Sequence, residues 1–335
     1  MYKKLKDFSK EIKEEVEPII LEELNRHFSR RFQDIWEYQI NSGGKRLRPI
    51  ILVAASLMYG AEKEKALFPA AAIEIVHNYS LIVDDIIDKS ETRRGEKTCW
   101  KKYGKTITHC IGIGYAMTYA DMISRMENDI AKELTVATKM VTEGEIIDIL
   151  QERRPNPTEP YIKENKYEDV NIDDYYEMVE KKTSSLIRAA CRAGGAIARV
   201  GEEDMRKLDE FGRNIGITFQ IRDDFLDIFG EEKEFGKKIG KDIIERKGGN
   251  IVILYTLQDE QAKKELLPIL EKNEIIQKDI DRAMEIINLT DAKEKTEKLG
   301  KKYIERAEKI LASFPENEYR DLFEELKDYF LIREK

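Results

Sequence analysis

Ala70-Ala71-Ala72-Ile73-Glu74-Ile75-Val76-His77-Asn78-Tyr79-Ser80-Leu81-Ile82-Val83-Asp84-Asp85-Ile86-Ile87-Asp88 is the stretch around which the chain is organised. It reads as a long, largely apolar helix, with Pro69 near its start and Lys89-Ser90 beyond its end. Three aspartates crowd its last turn, where the helix macrodipole already places partial negative charge. Asp84 and Asp88 share a face with Ser80 and His77, while Asp85 lies about 100° round. Carboxylates among valine and isoleucine are costly unless compensated, so this turn predicts bound cations.

The same DDxxD spacing returns in Gln220-Ile221-Arg222-Asp223-Asp224-Phe225-Leu226-Asp227, again near a helix end, marked by Gly230. Gln220, Asp223, Asp224 and Asp227 fall on one helical face. One such motif on a charged chain reads as solvated carboxylates. Two, both on apolar helices, read as a trap for metal and diphosphate.

The rest of the composition narrows the setting. At 335 residues with 41% hydrophobic content, one large domain can bury a core, and 8 prolines and 19 glycines leave no evident linker. A formal charge of −8 argues against nucleic acid as a general partner, so any basic site is local. Three cysteines, Cys99, Cys110 and Cys191, form no even framework and no CxxC pair, which fits a reducing cytoplasm. Met1 to Asp7 lacks the apolar core of a signal peptide, and no run of about 18 apolar residues predicts a membrane span.

Along the chain, residues 3–40 predict one or two amphipathic helices, broken by Asn41-Ser42-Gly43-Gly44. Pro49 opens an apolar helix ending near Gly60, and further helices are predicted over 106–126 and 128–150. The segment 151–172, with Pro155, Pro157 and Pro160, reads as a surface excursion. Asp173 is the predicted N-cap of the next helix. Amphipathic helices follow from 251 onward, with no alternating strand anywhere. The class is all-α: a single domain over 1–335, a helical bundle with a central cavity between the two aspartate helices.

Six clustered carboxylates with hardly a histidine suit a hard cation with oxygen ligands, above all Mg²⁺, which is commonly completed by substrate phosphates. Cations at Lys45-Arg46-Leu47-Arg48, at Arg93-Arg94 and between Lys237 and Lys247 supply further phosphate contacts. Taken in order, Gly43-Gly44-Lys45-Arg46-Leu47-Arg48-Pro49, Asp84 to Asp88 with Arg93-Arg94-Gly95, Lys182-Thr183, and Phe219 to Asp227 resemble the all-trans short-chain isoprenyl diphosphate synthases. These are the farnesyl and geranylgeranyl diphosphate synthases, and the resemblance spans roughly residues 40–250. It implies an all-α homodimer that uses three Mg²⁺ ions. Its reaction is head-to-tail condensation of isopentenyl diphosphate onto an allylic diphosphate.

Carried over residue by residue, the resemblance makes Asp84, Asp88 and Asp223 the principal metal ligands, with Asp85, Asp224 and Asp227 in support. Lys45, Arg48, His77 and Arg94 match the isopentenyl diphosphate site. Arg93, Lys182 and a loop lysine (Lys237 rather than Lys238, by the spacing Gly-Lys-x-x-Gly-x-Asp) match contacts to the allylic diphosphate. Thr183 and Gln220 match groups beside the developing cation. Tyr79, five residues before Asp84, matches the position whose bulk limits product length and implies a C20 product, with C15 as the alternative. Helical geometry alone nominates Ser80 for that floor.

Some positions depart from the family pattern. Val83 and Trp100 stand where many members have histidine. Glu145, in Gly144-Glu145-Ile146-Ile147-Asp148, replaces a frequent glutamine and adds negative charge near the site. Arg246-Lys247-Gly248-Gly249 stands for the usual Gly-Lys-x-Thr, which leaves the role of Lys247 less defined. Three rival functions fit the sequence less well. Glu74-Ile75-Val76-His77 is an ExxH, but a helical di-iron protein needs two, and neither His27 nor His109 follows a suitable glutamate. A terpene cyclase lacks a second diphosphate pocket, and a non-catalytic subunit would be expected to have lost one of these motifs.

Overall fold

The computed structural model describes residues 2–230, 240–245 and 247–332. Helices dominate it, as the residue patterning requires. Strand is confined, among the described residues, to a two-stranded ribbon, β1 (Thr92–Arg93) against β2 (Glu96–Lys97), which no periodicity foretold. By contacts the chain gathers into two compact units of interleaved segments. The first comprises Met1–Val141, Ser185–Gly212 and Ile310–Leu326; the second comprises Thr142–Ser184, Arg213–Lys309 and Lys327–Lys335.

In the first unit, α1 (Lys3–Asn25) turns Leu5, Phe8, Ile12, Val16, Ile20 and Leu24 inward at the three-to-four spacing of one helix face. After α2 (Gln33–Asn41), α3 (Leu47–Met58) is apolar nearly all round and buried over most of its length. The organising helix is α4 (Lys63–Ile87). It begins seven residues before Ala70, so Pro69 lies inside it, where it removes one backbone donor. Residues Pro69 to Val76 are buried on every side, because α1, α3, α6 (Lys105–Ser124) and α10 (Ser185–Ile197) all pack on α4. At 25 residues α4 is also long and apolar enough to cross a membrane, by length and composition, which corrects the expectation that no run reaches that length. With 61% of its most apolar stretch buried inside the protein, it is a core helix. The unit is closed by aromatic packing of Phe211 on Phe323, with ring centres 5.1 Å apart, and by Leu5 N donating to Glu325 Oε2 at 2.8 Å.

In the second unit, the C-terminal turns of α7 (Asn128–Gln151) lead into the 151–172 segment. That segment is not bare loop: it holds α8 (Pro160–Asn165), and Tyr167 N donates to Leu150 O at 3.0 Å, pinning it to the end of α7. The cap of α9 (Ile172–Val179) is Asn171, not Asp173; its side chain accepts from Asp173 N and Asp174 N, and Asp174 returns a bond to the Asn171 amide. The asparagine wins because it stands two positions further out, directly before the first helical residue, where its oxygen faces the first free amides. A π-helical turn, Glu180–Ser184, joins α9 to α10. The core gathers Tyr175, Met178 and Val179 of α9, Ile217 and Ile221 of α11 (Glu202–Phe229), and the buried run Ile251 to Leu254.

Candidate active site

The cationic turn before α3 is built by backbone that few residues accept. Gly43 and Gly44 have φ of +94° and +142°, and a Cβ on Gly44 would lie 2.5 Å from Arg46 Nη1 and 2.9 Å from Arg94 Nη1. Arg46 is wholly buried: Nε donates to Glu17 at 3.0 Å, Nη1 to Gly43 O at 3.0 Å and to Glu74 Oε1 at 3.2 Å, and Nη2 to Ile40 O at 2.9 Å. It is therefore the strut of the turn, while Lys45 is exposed and Arg48 half-buried. Arg94, at φ +55° in the tip of the ribbon, donates to Gly43 O. Burial brings the Arg48 guanidinium down to about 10, against the pull of Glu74 and with a further push from Arg94, and Arg48 Nε finds no hydrogen-bond partner.

His77 faces this cluster. Burial first, and then Arg48, Arg94, Arg93 and Arg46, hold its imidazole well below the ordinary range, so it is neutral at physiological pH. Glu74, the other half of the ExxH, accepts from Arg46 and from Asn78 Nδ2 at 3.0 Å, so it braces the turn. One turn before Asp84, the Ser80 hydroxyl donates to His77 O at 2.8 Å. Tyr79 lies over α6: its Cε2 is 3.6 Å from where a Cβ on Gly112 would stand.

The aspartates that end α4 are compensated within the protein. Arg93 Nη2 lies 2.9 Å from Asp84 Oδ2 and 2.8 Å from Asp85 Oδ1. Asp85 is buried and Asp84 and Asp88 half-buried, with Asp88 capping the helix by donating its amide to Asp84 O at 2.8 Å. Trp100 Nε1 and Thr98 Oγ1 both donate to Ser90 O, at 2.7 and 2.8 Å, and fasten the chain just beyond the motif.

In the second unit, the π-helical turn presses against α7 at Gly144, where a Cβ would lie 2.3 Å from Lys182 N. Lys182 Nζ is thereby set 2.9 Å from Glu145 and 2.6 Å from Asp148, and Lys247 Nζ shares the same Asp148 Oδ2 at 2.9 Å. Thr183 Oγ1 donates to Gln220 Oε1 at 2.7 Å, and Gln220 Nε2 donates to Asp224 Oδ1 at 2.9 Å. Asp224 and Asp227, read from the sequence as supporting metal ligands, also accept backbone amides here: Ile251 N at 3.0 Å and Asp242 N at 2.9 Å. Burial, then the neighbouring Asp242, pushes both carboxyls up, Asp227 to about 9. Asp223, on the same face, is half-buried. Lys237 and Lys238 lie outside the described residues.

Among the described residues, no three histidine, cysteine, aspartate or glutamate side chains already converge as a metal centre. The donor chemistry nevertheless fits a hard divalent cation. Asp84 and Asp88 in the first unit, and Asp223 in the second, offer half-buried carboxylate oxygens and no softer ligand. Asp148 carries no role by motif; the signal for one is its spacing, three residues after Glu145 on α7 and four before Glu152 just beyond the helix end. Arg46 was counted as one more phosphate cation, and nothing in its spacing marked it as buried.

The polyprenyl synthetase family model matches residues 29–287. The chain belongs to that family. It is 35% identical over 254 residues to the short chain isoprenyl diphosphate synthase of Methanocaldococcus jannaschii, covering 73% of each chain. To the geranylgeranyl diphosphate synthase of Saccharolobus solfataricus it is 34% identical over 284 residues, with 82% and 81% covered. The fold matches the polyprenyl synthase of Caulobacter crescentus complexed with calcium and isoprenyl diphosphate, with a TM-score of 0.88, 26% identity, and 100% and 98% of the two chains covered. The protein is accordingly a prenyltransferase of isoprenoid biosynthesis on the all-α isoprenoid synthase fold. Other relatives carry the names geranylfarnesyl diphosphate synthase and heptaprenyl diphosphate synthase component 2, so family membership alone does not assign product length.

Proposed function

We propose that this prenyltransferase condenses isopentenyl diphosphate with dimethylallyl, geranyl and farnesyl diphosphates, head to tail, and releases geranylgeranyl diphosphate, C20. The observation that carries the product length is Tyr79 lying over Gly112 on the flank of α4, five residues before Asp84. An aromatic ring there limits how far a chain can grow from the Asp84–Asp88 end. Farnesyl diphosphate, C15, is the second reading.

The first unit supplies an anion pocket. Lys45, Arg48 and Arg94 offer guanidinium and ammonium donors to a diphosphate, and neutral His77 adds a donor without adding charge. In the second unit Lys182 and Lys247 hold the allylic diphosphate, and the Thr183–Gln220 pair presents oxygens to developing positive charge. Mg²⁺, with three ions at full occupancy, is the cofactor these carboxylates suit, and it would neutralise diphosphate charge as that group departs. Asp84, Asp88 and Asp223 are the residues to hold it, with Asp85, Asp224 and Asp227 bracing them.

The working form is a homodimer. Ile113 and Met117 are 63% and 58% exposed, and they continue a stripe with Cys110 and Ala120 along α6 at the spacing of a helix seam. All three cysteines are free thiols, which supports residence in the reducing cytoplasm. Turnover of labelled isopentenyl diphosphate with each allylic partner in the presence of Mg²⁺, with products sized by chromatography, tests the reading. A C20 product from farnesyl diphosphate is expected; no Mg²⁺-dependent condensation with any of them overturns it.

A further inference from the structure

Among the described residues, three carboxylates meet the two ammonium groups of Lys182 and Lys247. Glu145 and Asp148 occupy one face of α7, three residues apart, and Glu152 follows four residues later, just beyond the helix end. Lys182 Nζ lies 2.9 Å from Glu145 Oε2 and 2.6 Å from Asp148 Oδ2; Lys247 Nζ lies 2.9 Å from that same oxygen and 3.2 Å from Glu152 Oε1. The three carboxylates are not equivalent. Asp148 bridges both lysines, and although burial alone would raise its carboxyl, the two ammonium groups hold it well below the usual range. Glu152 engages Lys247. Glu145 engages Lys182 and at 16% exposure is more open to water than Asp148 at 7%.

We propose that Glu145 competes with the allylic diphosphate for Lys182, setting how tightly the diphosphate is held and easing its departure, while Asp148 keeps the two lysines side by side. The inference rests on reading Lys182 and Lys247 as diphosphate ligands. An arriving diphosphate oxygen replaces a carboxylate oxygen on an ammonium that has three donors in all. The displaced Glu145 then stands as a like charge beside the diphosphate, where low dielectric strengthens repulsion. When the diphosphate leaves, Glu145 takes Lys182 back, so the ammonium is never left bare. Asp148 serves this way less well, because releasing it would take the shared carboxylate from two half-buried lysines at once.

Glu145→Gln keeps the shape and removes the charge. Calorimetric titration with inorganic diphosphate in the presence of Mg²⁺, on wild type, Glu145→Gln, Lys182→Ala and the double variant, reads the competition directly. The expected Kd for Glu145→Gln is about tenfold lower than wild type, with the gain absent in the Lys182→Ala background. In steady state the KM for the allylic substrate falls, the KM for isopentenyl diphosphate is unchanged, and kcat does not rise. Unchanged or weaker diphosphate binding by Glu145→Gln, with wild type and Lys182→Ala behaving as ligand-site variants should, overturns the inference alone. An equal gain without Lys182 also overturns it, since a general field would then act. Wild-type affinity that Lys182→Ala leaves untouched overturns the underlying assignment of Lys182, and the inference with it.

Discussion

Arg93 reaches back from the ribbon to Asp84, with Nη2 2.9 Å from Oδ2, and the same guanidinium closes on Asp85. The carboxylates at the end of α4 thus carry an internal counter-ion before any metal arrives. Loss of preorganised charge should still dominate the kinetics, so Asp84→Asn or Asp223→Asn is expected to lower turnover by about 10²–10³. From sequence, the metal-free variants should melt at or above wild type. The Arg93 pair reverses that for Asp84→Asn, whose metal-free melting should drop slightly, by the equivalent of about 0–1 kcal/mol for a half-exposed pair. Calorimetric scans in chelator check the sign.

The two diphosphate sites should separate in kinetics. Arg48→Ala or Arg94→Ala should raise the KM for isopentenyl diphosphate most, and Lys182→Ala that for the allylic substrate, each by roughly tenfold or more for a lost charge-assisted contact. Equal shifts in both constants from every substitution would defeat the assignment.

His77 gives the metal-free protein a pH dependence of known sign. Its imidazole is held below its unfolded value by burial and by the surrounding arginines, so the unfolded chain binds the proton that the folded chain refuses. Stability is therefore present above about pH 6.5 and lost as pH falls below it, at a slope of at most about 1.4 kcal/mol per pH unit. Melting temperatures between pH 7.5 and 5 should fall less steeply in His77→Gln than in wild type. Parallel profiles would show that the histidine is not the group responsible.

Tyr79→Ala should shift products beyond C20 while most activity remains, because it opens space over Gly112 without touching a phosphate ligand or an aspartate. An unchanged product spectrum from a folded, active variant removes Tyr79 as the floor.

Ile113→Lys together with Met117→Glu should turn a dimer into a species of 39.1 kDa in light scattering, since charge then replaces the exposed stripe of α6. A wild-type protein already monomeric at micromolar concentration refutes the dimer.

The helical class and both aspartate motifs were legible because periodicity and spacing are local properties. Features that depend on distant partners were not. Arg46 looks like its neighbours Lys45 and Arg48 until Glu17 and Glu74 close on it. Arg93 looked like a phosphate ligand, and only the ribbon shows that it also neutralises Asp84. Asp224 and Asp227 shared a face with Asp223, yet the amides of Ile251 and Asp242 that engage them come from a later segment. The start of α4 lies further upstream than the sequence, with Pro69 near the start, predicts, because the packing of α1, α3, α6 and α10 keeps the helix continuous through the proline.

The bond from Leu5 N to Glu325 Oε2 sets a timetable for the newborn chain. Its ends are 320 residues apart, so a ribosome adding about 5–20 residues per second leaves α1 waiting on the order of 15–60 s for that partner. Throughout that interval Ile12, Val16 and Ile20 have α3 and α4 to lean on but not the closing segment. The apolar face of α1 is then the surface on which a holding chaperone, or an aggregating neighbour, has its longest opportunity.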